Sequence, residues 1–156
     1  MNHTRRTVLK SAGATGALTA LIAAGALKPT QVFAADWNKA AFDAKDMSVA
    51  MKGVGAASAA DNAGLTLKVP EIAENGAVVP VDVVSAIPNT TSISVFVEKN
   101  PGPLTAHFDF ANGAVPEVSV RVKMGQTSVI KAVAKADGKF YSAQREVKVT
   151  VGGCGG

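Results

Sequence analysis

Cys154 is the only cysteine in a chain of 156 residues, and it stands between two glycine pairs, Gly152-Gly153 and Gly155-Gly156. One cysteine excludes an internal disulfide framework and a cysteine-rich zinc site. No Lys, Arg or His lies beside it, so nothing local lowers its pKa, and a free thiol near 8.5 is only about 3% thiolate at pH 7. Self-activated catalysis fits poorly. A thiol peroxidase, which needs a fixed basic pocket around an activated cysteine, fits least. Glycine has the widest conformational freedom and no side chain to pack, so 152–156 is expected to be a slim swinging arm that places the thiol roughly 10 Å beyond Val151. A mobile and poorly activated thiol suits a covalent carrier, one that becomes a nucleophile when another protein supplies the base or metal. The alternative is an immunoglobulin-like assembly or adhesion module in which Cys154 ties two copies together by an interchain disulfide.

Other side chains with chemical potential are weaker candidates. His107, in Thr105-Ala106-His107-Phe108-Asp109-Phe110, is the only histidine after the first few residues. It reads as an ordinary strand-face residue, and a blue-copper site would need a second histidine. Met47, Met51 and Met124 read as core filling. Glu71 and Glu74 flank a turn and face no partner carboxylate of the kind a glycosidase pair requires. The glycine-rich tail has no Lys-Ser and no following helix, which a phosphate loop needs. No resident cofactor or metal is expected.

The charge is unevenly placed. The chain has 16 Lys+Arg against 12 Asp+Glu. Arg5, Arg6, Lys10 and Lys28 all fall in the first 34 residues, which hold no acid, so the rest of the chain is balanced and has no basic face for nucleic acid. Thr4-Arg5-Arg6-Thr7-Val8-Leu9-Lys10 precedes a modestly apolar run from Ala12 to Leu27, then Val32-Phe33-Ala34. The run is too short and too rich in Ala and Gly to span a membrane. It has the three-part pattern of a cleaved export signal, with the cut expected after Ala34. Arg5 and Arg6 resemble the twin-arginine signal, with Val8 where that pattern usually has Phe. Residues 1–34 are therefore expected to direct a folded protein to the periplasm.

The remaining 120 or so residues make one ordinary domain, and 47% hydrophobic content is that of a globular chain. Residues 35–64 form the helical segment. From Asp36 to about Val54, Trp37, Ala41, Phe42, Ala44, Met47 and Met51 recur at helical spacing, with Asp36 as the N-cap. From Leu65 the period changes to two, and seven strands follow through 65–151. Asn75-Gly76, Pro88-Asn89, Asn100-Pro101-Gly102-Pro103, Asn112-Gly113, Gly125-Gln126 and Asp137-Gly138 separate them. Asn75-Gly76 is expected to close a hairpin. Pro80 lacks a backbone donor, which places its strand at an edge or a bulge. The pattern predicts a mainly β fold, an immunoglobulin-like antiparallel β-sandwich of about seven strands with an N-terminal helix and a flexible C-terminal tail.

Taken together, the Gly-Gly-Cys-Gly-Gly terminus after a strand, the leader, Pro70-Glu71-Ile72-Ala73-Glu74-Asn75-Gly76-Ala77, the Asn100-Pro101 turn and Arg121-Val122-Lys123-Met124 resemble the SoxY family. Its members are the sulfur-carrying subunits of bacterial thiosulfate-oxidising (Sox) systems. The resemblance implies that Cys154 holds a cysteine S-thiosulfonate and its successors. It implies a c-type cytochrome complex that conjugates thiosulfate to the thiol, a hydrolase that releases sulfate and, where present, a sulfur dehydrogenase. It also implies a leaderless SoxZ-like β-sandwich subunit, exported with this chain as a heterodimer or heterotetramer. The chain would itself be no enzyme.

Overall fold

The computed structural model describes residues 38–111 and 113–150. The export segment with Arg5 and Arg6, the proposed cap Asp36, Asn112 and the whole Gly152–Gly156 arm with Cys154 lie outside them.

Two short helices open the described chain, α1 (Lys39–Asp43) and α2 (Met47–Gly53), where one continuous helix was expected. The break has a local cause. Asp46 lies in extended backbone, and its carboxylate accepts from Ser48 N at 2.7 Å and Val49 N at 3.3 Å, so it caps a new helix instead of continuing the old one. Asn38 caps α1, with its Oδ1 accepting from Ala41 N at 3.1 Å and its Nδ2 donating to Gly53 O at 2.8 Å. That second bond ties the start of α1 to the end of α2. The Ser48 hydroxyl, then the Ser48 and Val49 amides, hold the Asp46 carboxyl below its ordinary value. A depressed carboxylate stabilises the fold above its unfolded-state pKa, and that contribution is lost as pH falls through the folded-state value. Asp46→Ala is therefore expected to speed hydrogen exchange at Ser48 and Val49 at neutral pH. Acidification through the folded pKa of Asp46 should lower the protection of the same two amides, relative to their unfolded exchange rates at that pH, in the unmodified chain.

Nine strands follow among the described residues: β1 (Ala60–Asp61), β2 (Leu65–Lys68), β3 (Ile72–Ala73), β4 (Val79–Ser85), β5 (Thr90–Val97), β6 (Leu104–Asp109), β7 (Glu117–Val122), β8 (Ser128–Ala136) and β9 (Lys139–Val149). The larger sheet has the order β1-β9-β8-β5-β6, with β3 also on β9, and the smaller has the order β2-β4-β7. This is the expected sandwich. The seven predicted strands pair antiparallel, and the two additions, β1 and β3, pair parallel with β9.

Period-two alternation explains the core. Val79, Val81 and Val83 of β4 meet Ile93, Val95 and Val97 of β5 and Ile130, Ala132 and Ala134 of β8 between the sheets. Phe96 and Val133 point the other way, to Ala41, Ala50 and Ala56 of the helical segment. The middle of the larger sheet is thus covered on both faces, which is why Ser92–Val97 is buried throughout. Met47 and Met51 pack in the helix-side cluster and Met124 in the main one, as core residues.

Two turn expectations need correction or refinement. Asp137 (φ 49°) and Gly138 (φ 73°) close the β8–β9 hairpin in the left-handed backbone that a two-residue turn requires. Asn75-Gly76 closes no hairpin. It connects β3, on the larger sheet, to β4, on the smaller one, and so crosses between layers. Pro80 lies on the central strand of its sheet, but β2 stops pairing at Asp82, so at Pro80 only β7 is bonded, through Arg121. The missing donor falls where β4 has one neighbour.

Candidate functional site: the root of the C-terminal segment

The described chain runs to Thr150, four residues before Cys154, and the geometry on view is that of the support from which the thiol departs. The support is β9, the longest strand at 11 residues. Its last residues are held on both sides. Lys148 N donates to Glu71 O at 2.9 Å, and Thr150 N donates to Ala73 O at 3.2 Å, the bonds of the parallel β3 pairing. On the other side Val149 N donates to the Thr127 hydroxyl at 3.0 Å. The strand is anchored to within four residues of the sulfur.

Gly76 completes the clamp. A Cβ there would lie 2.3 Å from Met124 O and 2.8 Å from Val149 Cγ1, and Met124 N donates to Gly76 O at 2.6 Å. The glycine is required by the close approach of another backbone, and it presses the 74–78 turn against the foot of β9. Gly76→Ala must displace either Met124 or Val149. We expect it to cost about 1–3 kcal/mol, the usual penalty for overpacking, read as a lower midpoint in a urea titration.

His107 belongs to a different place. Its Nδ1 lies 2.8 Å from Ser94 Oγ and its Nε2 lies 3.4 Å from Asp109 Oδ1. It borders a groove of about 640 Å³ that also includes Asn38, Lys135 and Asp137. Register places His107 beside Ser94, Ser94 beside Val133 and Val133 beside Ser142. Ser142 precedes Val149 by seven residues, roughly 23 Å of strand, and three strand spacings add about 14 Å sideways. The five residues from Val149 to Cys154 span at most about 18 Å. His107 is therefore beyond the reach of the thiol in its own chain. Its role is that of a bonded strand-face residue, as the sequence indicated.

No group of three or more His, Cys, Asp or Glu side chains is placed to hold a metal ion among the described residues. Sequence reasoning missed the clamp itself. Two-residue strands have no periodicity to detect, and the one available signal was the run Pro70–Ala77.

Comparison with known proteins bears on this arrangement. The family model for the sulfur oxidation protein SoxY matches residues 50–154, a span that includes the clamp and reaches Cys154. The solved structure of the sulfur carrier protein SoxY from Chlorobium limicola f thiosulfatophilum is 43% identical. The match covers 64% of this chain and 93% of that one, with a TM-score of 0.57. Superoxide reductase (neelaredoxin) from Ignicoccus hospitalis has a TM-score of 0.50 at 20% identity, over 55% of this chain and 80% of its own, a likeness of fold alone. None of the curated proteins matches the chain.

Proposed function

We propose, from the premise that the chain belongs to the SoxY family of sulfur oxidation proteins, that it is a periplasmic sulfur carrier holding intermediates of thiosulfate oxidation on Cys154. The observation that carries the reading is a single thiol, flanked by glycine pairs, a few residues beyond a strand whose foot is hydrogen-bonded on both sides. A rigid mount with a slim terminal segment suits presentation of a substrate to several other active sites. His107, the one histidine among the described residues, lies out of reach of the sulfur, and each chemical step is assigned to a partner.

In this reading a c-type cytochrome conjugating enzyme joins the thiol of Cys154 to the sulfane sulfur of thiosulfate. One S–S bond forms, the thiol loses its proton, and two electrons pass to the cytochrome, leaving a cysteine S-thiosulfonate. A hydrolase then adds water across the bond between sulfane and sulfone sulfur, which frees sulfate and leaves a persulfide on Cys154. A sulfur dehydrogenase, where one is present, oxidises that outer sulfur to a sulfonate, with three oxygens taken from water and six electrons passed to a cytochrome acceptor. The hydrolase then adds water across the remaining S–S bond to free sulfate and return the thiol. Arg5 and Arg6 direct export by the twin-arginine route, with cleavage after Ala34. That route takes folded cargo, which suits a carrier exported together with a leaderless SoxZ-like sandwich subunit.

Shortening the arm tests the mount-and-arm division independently of the thiol. Deleting Gly152 and Gly153 draws the sulfur back by about 7 Å. The conjugating enzyme should then load the carrier on the order of 100-fold more slowly, the scale of loss when a reacting group is held out of position. Loading rates from stopped-time mass spectra give the comparison, and an unchanged rate would remove the need for an extended arm.

A further inference from the structure

Four large apolar side chains are exposed among the described residues: Val49, Ile72, Val78 and Val115. Two of them, Ile72 at 57% and Val78 at 49% exposure, fall in the 72–78 stretch that clamps the foot of β9. Their orientation follows from their neighbours. Ala73 and Val79 turn into the core, so the adjacent Ile72 and Val78 turn out. The stretch cannot drift from the root, because Ala73 O and Glu71 O accept the β9 amides and Gly76 is wedged between Met124 and Val149.

The length of the terminal segment decides what meets this surface. From Val149 to Cys154 the chain spans at most about 18 Å, and each ångström left between two bodies is lost from the depth the sulfur reaches. A protein whose reaction centre is recessed must bring the rim of its opening against the residues beside Thr150. We infer that Ile72 and Val78 form a docking collar around the root of the arm, seated against the apolar rim of each enzyme that receives Cys154. This rests on the carrier reading above and adds the partner surface to it. Because one collar serves every such enzyme, they bind one at a time, and each competes with the others.

The test uses the mature protein with its partner subunit and the cognate cytochrome conjugating enzyme. Ile72→Lys with Val78→Lys is compared with Val115→Lys, a site elsewhere that is still more exposed, at 72%. The expected result is a rise of at least tenfold in the carrier KM of the collar variant at unchanged kcat. Val115→Lys should behave as wild type, and an aromatic disulfide reagent should react equally fast with the thiol of all three. Cys154→Ser carrier should inhibit loading competitively, and should lose that inhibition when Ile72 and Val78 are also replaced. Equal KM values in all variants would overturn the collar, as would a collar variant that fails to assemble with its partner subunit, which would show that the subunit already covers the patch. Absence of any sulfur adduct on the wild-type chain would instead defeat the carrier reading, so the two failures are distinguishable.

Discussion

Cys154→Ser is expected to abolish thiosulfate-dependent reduction of cytochrome, with a residual rate below about 1% of wild type. The magnitude follows from the role. A serine hydroxyl cannot form the S–S bond on which every later step is built, so the loss is of the attachment point and not of a contribution to a barrier. The structure also makes the variant a clean one. The described fold ends its last strand at Val149, and its core residues all lie between Ala41 and Val147. Melting temperature and partner assembly should therefore match wild type. If Cys154 instead served only to join two copies, the variant would lose a covalent dimer on a non-reducing gel and retain thiosulfate oxidation. One strain and one gel separate the two roles.

The second large effect concerns the anchorage. The foot of β9 is held by two amide bonds to the chain around β3, by the Thr127 hydroxyl and by the packing of Val149 near Gly76. Ala73→Pro leaves Ala73 O in place but removes the Ala73 backbone N–H from the parallel pairing with β9 and puts a ring where a buried methyl now sits. Gly76→Val places three extra carbons where one already meets Met124 O at 2.3 Å. The combined variant is expected to detach β3 and the 74–78 turn from β9, with protection of the Lys148 and Thr150 amides falling toward the unfolded rate. Loading by the conjugating enzyme should fall by about tenfold or more, since a loosely mounted thiol spends less time in register with the partner's centre. The β8–β9 hairpin at Asp137-Gly138, at the opposite end of those strands, should keep its protection. If the Lys148 and Thr150 amides stay protected while loading falls, the clamp is not what positions the thiol.

What could be read from the residues alone divides along physical lines. Strands such as Val118-Ser119-Val120-Arg121-Val122 were legible because one face is dry and the other wet, so that period two survives in the sequence, whereas β5, buried from Ser92 to Val97, was legible through the turn residues that bound it. The candidate thiol was picked out by its type and its immediate neighbours, and it lies outside the described residues. The pieces that mount it were not. β1 and β3 are two residues each and are defined by their partner on β9, a relation between positions about 75 residues apart for Ala73 and Val149. Asn75-Gly76 was read as a hairpin because glycine commonly supplies left-handed backbone. Here Gly76 is needed for lack of a side chain, because Met124 and Val149 crowd it. The helical segment was read as continuous because Trp37, Ala41, Phe42, Ala44, Met47 and Met51 keep helical spacing across Asp46. Only the bonds to Ser48 and Val49 show it beginning a second helix. In each case the deciding partner was a backbone group that no composition or periodicity reveals.

Tandem mass spectrometry of the C-terminal peptide, taken from carrier incubated with thiosulfate and the oxidised conjugating enzyme, tests the central claim most directly. The account predicts a thiosulfonate adduct whose fragment ions place the added sulfur on Cys154, and its conversion to a persulfide when the hydrolase is added. An unmodified Cys154 under conditions where cytochrome is being reduced, or an adduct on any other residue, would contradict it.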